Sequence, residues 1–168
     1  MIETERLILK PLTYQQLIKY IKLDNSLEEE LNLQKSARVI SPELMEALER
    51  SILPRVADTS KNHLFSTLWT LISKEENIMV GDLCFMGEPN SDGEIEIGYG
   101  TYEPFRKRGF MTEAVGGMIK WAKEQPNVKS IIASSLKSNT DSSSILKKNN
   151  FTIVEKTNEL YNWQITLK

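Results

Sequence analysis

Cysteine and histidine are almost missing from this chain. Of 168 residues one is cysteine, Cys84, and one is histidine, His63. A lone cysteine excludes an internal disulfide, which fits a reducing cytoplasm. One cysteine and one histidine also fall short of the usual ligand set of a zinc site, so no metal is expected. An excess of one charge is lacking too: 21 Lys and Arg stand against 23 Asp and Glu, a formal charge of −2. Strong attraction to nucleic acid or to an anionic membrane is therefore not expected. No apolar run nears the length that spans a bilayer. Met1–Glu5 has neither the basic start nor the apolar core of a signal peptide, so none is expected. Neither G-x-x-x-x-G-K-S/T nor G-x-G-x-x-G occurs, which removes the two commonest nucleotide signatures. Internal repeats, low-complexity tracts and linkers are absent as well. What is present is ordinary for one globular domain, 1–168, with a sizeable core: 40% hydrophobic and 26% charged residues.

The pattern along the chain alternates strands and helices. Arg6–Lys10 is short, apolar and β-prone, and Pro11 ends it. Thr13 is placed to cap a helix whose apolar stripe is Leu17, Ile18, Tyr20 and Ile21. Leu27–Leu31 reads as a second short helix. Ser41-Pro42-Glu43 is a helix start, with Leu44, Leu48 and Ile52 as its buried stripe and Pro54 as its end or kink. Acidic residues gather in this helical third, either as a solvated face or as a field that attracts a cationic amine. His63–Ile72 and Ile78–Met86 read as antiparallel strands around a polar turn, with Cys84 a small core residue. After the turn cluster Glu88–Gly93 comes the strand Glu94–Tyr99. Val128–Ser135 follows a strand, a loop and a helix, so it should run parallel to that strand. Phe151–Glu155 and Leu160–Leu167 close the sheet as a hairpin.

The chemistry concentrates at Phe105-Arg106-Lys107-Arg108-Gly109-Phe110-Met111-Thr112-Glu113-Ala114. A strand precedes this stretch and a helical run follows it. The first N–H groups of a helix lack internal partners and carry the positive end of its dipole, so an anion docks there. Gly109 lets a phosphate approach the backbone, and Arg106, Lys107 and Arg108 add charge. The same residues would also make a merely basic, exposed loop ahead of a helix. Gly116 and Gly117 lie inside that helix at a cost of about 1 kcal/mol each. Close packing on the sheet, or room for a bulky cofactor, would account for them.

The string Arg106-x-x-Gly109-x-Met111, with Thr112-Glu113-Ala114 after it, resembles the pyrophosphate loop of the GNAT N-acetyltransferases. The branch it resembles contains the ribosomal-protein N-terminal acetyltransferases, where Met can replace the small residue at position 111. Thr4–Leu12 resembles the opening of the same branch. Asn139-Thr140-Asp141-Ser142, with a helix running to Asn150-Phe151, resembles the family's second signature, Asn150 standing where the family has glycine. Asparagine tolerates the left-handed conformation that such a cap requires.

The resemblance implies an α/β fold of the α+β kind. It would be a mixed, twisted, mostly antiparallel sheet of about seven strands with helices on both faces and a splayed parallel pair at its centre. It implies acetyl-CoA as acyl donor, its pantetheine lying along Gly100 and Thr101. The pyrophosphate would lie on Arg106 and on the amides of Arg108, Gly109, Phe110, Met111 and Thr112, with Asn139 and Ser142 along the arm. The implied reaction is direct attack of a primary amine, from a small molecule or a protein N-terminus, in a cytoplasmic monomer or homodimer. Attack needs a base; Glu96 is the candidate and Glu94 the alternative two residues away on the same face. Tyr99 could shape the acceptor pocket or be core. The tyrosine acid of many relatives aligns with Leu146, which leaves Ser142 as the candidate acid. A non-catalytic acyl-CoA-binding module is the other function open at this point.

Overall fold

The structure, a computed structural model, describes residues 1–168. Eight strands form one sheet: β1 (Ile2–Glu3), β2 (Leu7–Pro11), β3 (Leu68–Ser73), β4 (Ile78–Phe85), β5 (Glu94–Thr101), β6 (Ser130–Leu136), β7 (Thr152–Lys156) and β8 (Leu160–Thr166). Their spatial order is β1-β2-β3-β4-β5-β6-β8-β7. Every neighbouring pair is antiparallel except β5 and β6, which are parallel as expected. The mixed, mostly antiparallel architecture is the expected one. The eighth strand is β1, whose two residues are too few to show any alternation in sequence.

Helices cover both faces. Between β2 and β3 lie α1 (Tyr14–Lys22), α2 (Ser26–Glu30), α3 (Pro42–Ala47), α4 (Leu53–Ala57) and α5 (His63–Ser66). Between β5 and β6 lies α6 (Phe110–Lys123), and between β6 and β7 lies α7 (Thr140–Lys148). All six residues of β3 are buried, so both of its faces are covered. On one face Trp69, Leu71, Leu83, Phe85, Ile95 and Ile97 pack with α6, Leu146 and Phe151. On the other Leu68, Ile72, Met79 and Cys84 pack with Leu17, Tyr20, Leu27, Leu48 and Ile52.

The mid-helix glycines are explained by packing. A methyl group on Gly117 would meet Thr4 Cγ2 at 2.9 Å and Leu9 Cδ1 at 3.3 Å. One on Gly116 would meet Asn149 Oδ1 at 3.2 Å, so α6 sits tight against both β2 and the end of α7.

Two local expectations fail. His63–Ser66 is a helical turn rather than the start of a strand. Asn62 caps it through Leu64 N–H, and the Trp69 indole N–H donates to the Leu64 carbonyl at 3.0 Å, which holds the turn against β3. Pro54 does not end its helix, which continues to Ala57. A π-helical turn at Leu48–Ile52 precedes the proline, and the Leu53 amide bonds back five residues to Leu48. The ladder has already been rephased where the proline would have left a carbonyl without its donor.

Candidate active site

The parallel pair at the centre of the sheet is joined over a short stretch only. Glu94, Ile95 and Glu96 face Ser130, Ile131 and Ile132, and there the pairing stops. From Ile97 to Thr101, β5 pairs with β4 on one side alone. The other edge of Gly98, Tyr99 and Gly100 is left open, and a wedge widens from Glu96 toward Thr101.

At the wide end of this wedge lies a cleft of about 560 Å³. Its walls include Tyr99, Gly100 and Thr101 from β5, the Phe105–Lys107 and Gly109–Thr112 stretch, and Asn139, Ser142, Ile145 and Lys148 from α7 and its cap. Thus Thr101, Arg106, Gly109, Phe110, Met111, Thr112, Asn139 and Ser142 share one cavity although they are spread over about forty residues. Asn149, near the C-terminus of α7, donates to the Thr112 carbonyl at 3.1 Å and ties the two walls together.

The floor of the cleft is lined by backbone N–H groups with no partner in the chain. Lys107 and Gly109 both have positive φ, 64° and 78°. Alternation of this kind turns successive N–H groups to one side. Glu113 is the first residue of α6 to bond back, to the Gly109 carbonyl at 3.1 Å, so the N–H groups of Phe110, Met111 and Thr112 have no partner within the helix. No hydrogen bond engages the N–H groups of Lys107, Arg108 or Gly109 either. The glycine is required by conformation, since φ of 78° penalises any side chain. A methyl group there would also meet Arg6 Nη2 at 3.3 Å.

The cations are not equivalent. Arg106 and Lys107 line the cleft, whereas the Arg108 guanidinium turns away to the Glu76 carboxylate at 3.2 Å. Arg108 also lies over the Phe110 ring, 4.7 Å from its centroid, and, unlike its neighbours, is not among the residues that line the cleft.

At the narrow side, Ser142 Oγ and the Tyr99 hydroxyl are 2.9 Å apart. Burial pushes the Tyr99 phenol up from its ordinary value, and the Ser142 contact opposes this only in part, so the phenol keeps its proton at neutral pH. Leu146, at the aligned tyrosine position, is fully buried in the core. The Asn139 side-chain oxygen accepts from Ser142 N–H at 3.0 Å and caps α7, leaving its amide N–H₂ group free in the cleft. Glu96 lies on the opposite face of β5 from Ile95 and Ile97, is half-buried, and has no hydrogen-bond partner for its carboxylate. Glu94 is engaged, accepting from Asn90 Nδ2 at 3.1 Å and Gln164 Nε2 at 3.4 Å. No group of His, Cys, Asp and Glu is placed to hold a metal ion.

Residues 6–152 match the acetyltransferase (GNAT) domain. The chain belongs to the GNAT acetyltransferase family. It is 29% identical over 165 residues to YjdG of Bacillus subtilis (strain 168), an uncharacterized N-acetyltransferase, covering 97% of this chain and 96% of that one. Among solved structures, the ribosomal-protein-S5-alanine acetyltransferase of Vibrio fischeri superposes with a TM-score of 0.69 at 15% identity, over 99% of this chain and 96% of the other. RimL, a ribosomal L7/L12 α-N-protein acetyltransferase solved in complex with coenzyme A, gives 0.67 at 16% identity, over 98% and 96%. These neighbours share the fold, in keeping with the branch that the loop sequence resembles.

Sequence reasoning missed a buried polar cluster on the helical side of the sheet. Tyr20 and Tyr102 both donate to Asp82 Oδ2, at 2.6 and 2.9 Å, while Oδ1 has no partner. The Asp82 carboxyl is pushed up to about 6 by burial, against the two phenol contacts and the Arg38 charge. Arg38 stacks over the Tyr20 ring at 4.4 Å and pairs with Glu28 at 3.1 Å, both side chains almost wholly buried. One of the acids in the helical third is therefore structural. Nothing in the local sequence pointed to this cluster, because Tyr20 and Asp82 are 62 residues apart.

Proposed function

We propose that the protein transfers an acetyl group from acetyl-CoA to a primary amine by direct attack in a ternary complex. The observation that carries this reading is the juxtaposition of two features: an open β5 edge, and a run of unengaged amides at the start of α6. A pantetheine chain has amides to pair with such an edge, as an added strand would. A diphosphate fits the amides of Arg108–Thr112, with Arg106 and Lys107 supplying charge. Asn139 offers its free amide to the same arm. The bound donor supplies an activated thioester carbonyl; the chain's own residues do the rest.

Glu96 takes a proton from the incoming ammonium, directly or through a water. It stands at the apex of the wedge and, unlike Glu94, has a carboxylate with no competing partner. Ser142, hydrogen-bonded to the protonated Tyr99, donates toward the departing sulfur. A thiol with a pKa near 8.5 leaves readily, so a hydrogen bond from a hydroxyl is sufficient help. The acceptor is a small-molecule amine or a protein N-terminus, met in the cytoplasm.

Labelled acetyl-CoA offered with a panel of amines tests the reading. Transfer to at least one class is expected, and Glu96→Gln should lower turnover about 10²-fold near neutral pH, with the loss shrinking at high pH where free amine is abundant. Coenzyme A binding without transfer to any amine would make this an acyl-CoA-binding module instead.

A further inference from the structure

The phosphate-binding loop is held by a residue more than a hundred positions away. Arg6 lies immediately before β2, yet its side chain reaches across to the start of α6. Its Nε donates to Glu113 Oε1 at 2.7 Å, and its backbone N–H donates to Glu113 Oε2 at 2.7 Å. The Thr4 hydroxyl donates to the same Oε2. Arg6 Nη1 donates to the Arg108 carbonyl at 2.8 Å, and the guanidinium lies 4.7 Å from the centroid of the Phe110 ring. With Arg108 at the same distance from that ring, Phe110 contacts two guanidiniums. Burial works to raise the Glu113 carboxyl, but the contacts from Thr4 and Arg6 outweigh it and hold the group below the usual carboxylate range.

This arrangement solves two problems for an anion site. Glu113 lies in the first turn of α6, where its charge would repel a diphosphate bound to the amides beside it. Arg6 neutralises that carboxylate and keeps it turned toward β2. The loop from Lys107 to Gly109 has no hydrogen bond from its own N–H groups; besides the Arg6 contact, the Gly109 carbonyl accepts from Glu113 N–H and the Arg108 side chain pairs with Glu76. The Arg6 bond to the Arg108 carbonyl pins it from behind and leaves those amides free for a ligand. A forked guanidinium can bridge a carboxylate and a carbonyl at once; an ammonium cannot do so with the same geometry.

We infer that Arg6 is a positioning residue of the diphosphate site: it masks Glu113 and clamps the Arg108 carbonyl, so that the loop presents its amides to the phosphates of coenzyme A. The inference rests on the proposed placement of the cofactor. It also gives the Thr4-Glu5-Arg6 opening a task that its distance from the loop in sequence conceals.

The test compares two acyl donors, acetyl-CoA and S-acetylpantetheine, which lacks the diphosphate and the nucleotide. In the wild type, acetyl-CoA should have the far higher kcat/KM. Arg6→Ala should raise KM for acetyl-CoA about tenfold, the usual scale of one charge-assisted contact, with kcat little changed. The same variant should leave kcat/KM for S-acetylpantetheine unchanged. Arg6→Lys should recover less than half of the lost affinity for coenzyme A in calorimetry, because it restores the charge but not the fork. Arg6→Ala combined with Glu113→Gln should recover part of it by removing the unmasked charge. Equal losses with both donors would show a general structural role and overturn the inference, as would full rescue by lysine. If the wild type uses the two donors equally well, the placement of the diphosphate itself fails, whatever Arg6 does. Should Arg6→Ala not fold, Thr4→Val, which removes the hydroxyl that donates to Glu113 and accepts from Leu7 N–H while leaving Arg6 in place, must still weaken acetyl-CoA selectively.

Discussion

Replacing Asp82 by asparagine isolates a buried carboxyl whose titration falls in an accessible pH range. The side chain keeps its shape, and its amide oxygen can still accept from Tyr20 and Tyr102. What disappears is a buried charge with one unpartnered oxygen. Burial raises this carboxyl from 3.8 to about 6. Between those values the folded chain holds a proton that the unfolded chain has already released. The carboxyl therefore makes the wild type less stable as pH rises from about 4 to 6, and the cost then levels off at about 3 kcal/mol. Other titrating groups are common to both proteins and cancel in the difference. Urea unfolding of Asp82→Asn and wild type should thus give a stability difference that grows in favour of the variant by about 2 kcal/mol from pH 4 to pH 7. Any constant offset from altered hydrogen bonding is irrelevant to that slope. A difference that stays flat over the interval, or falls, would refute the assignment of a raised, uncompensated carboxyl.

Two further outcomes bear on the cleft. Ser142→Ala should lower the single-turnover rate of acetyl transfer by about tenfold or more at unchanged cofactor affinity, since a positioned donor is typically worth 10²- to 10⁴-fold and Tyr99 remains to substitute in part; Tyr99→Phe measured beside it shows whether the phenol carries that remainder. Gly109→Ala forces a side chain into the left-handed region at about 1–2 kcal/mol and crowds Arg6 Nη2, so coenzyme A affinity by calorimetry should fall about tenfold while the melting temperature drops by only a few degrees.

Where the sequence spoke through local stereochemistry, it was legible. Thr13 caps α1 in a reciprocal box with Gln16, and Ser41 accepts from Leu44 N–H beside Pro42. Asn150 takes φ of 67°, the left-handed value that the family's glycine would have supplied. The loop and Asn139 could be placed because each belongs to a short contiguous string. Features made by distant partners could not. The Arg6–Glu113 pair spans 107 residues and the Tyr20–Asp82 pair 62, and no periodicity links them. The helical turn at His63–Ser66 was misread because its residues are β-prone and only contact with Trp69 decides their conformation. Arg108 counted as a free cation in sequence, whereas Glu76, 32 residues earlier, claims its side chain.

The short join between β5 and β6 has a mechanical corollary. The strands on either side of it, β1–β5 and β6–β8, are joined along the sheet by the residue pairs Glu94–Ser130, Ile95–Ile131 and Glu96–Ile132, with the Lys129 N–H donating to the Gly93 carbonyl just before them. Beyond them the halves are held by α6 and α7 rather than by backbone ladder. A donor laid in the gap as proposed would add a strand between the two halves and tie them together. The acceptor surface beside Glu96 would then be set only after the donor is in place. If the proposed function holds, ordered binding with the acyl donor first is the expected pattern in initial-rate and product-inhibition measurements.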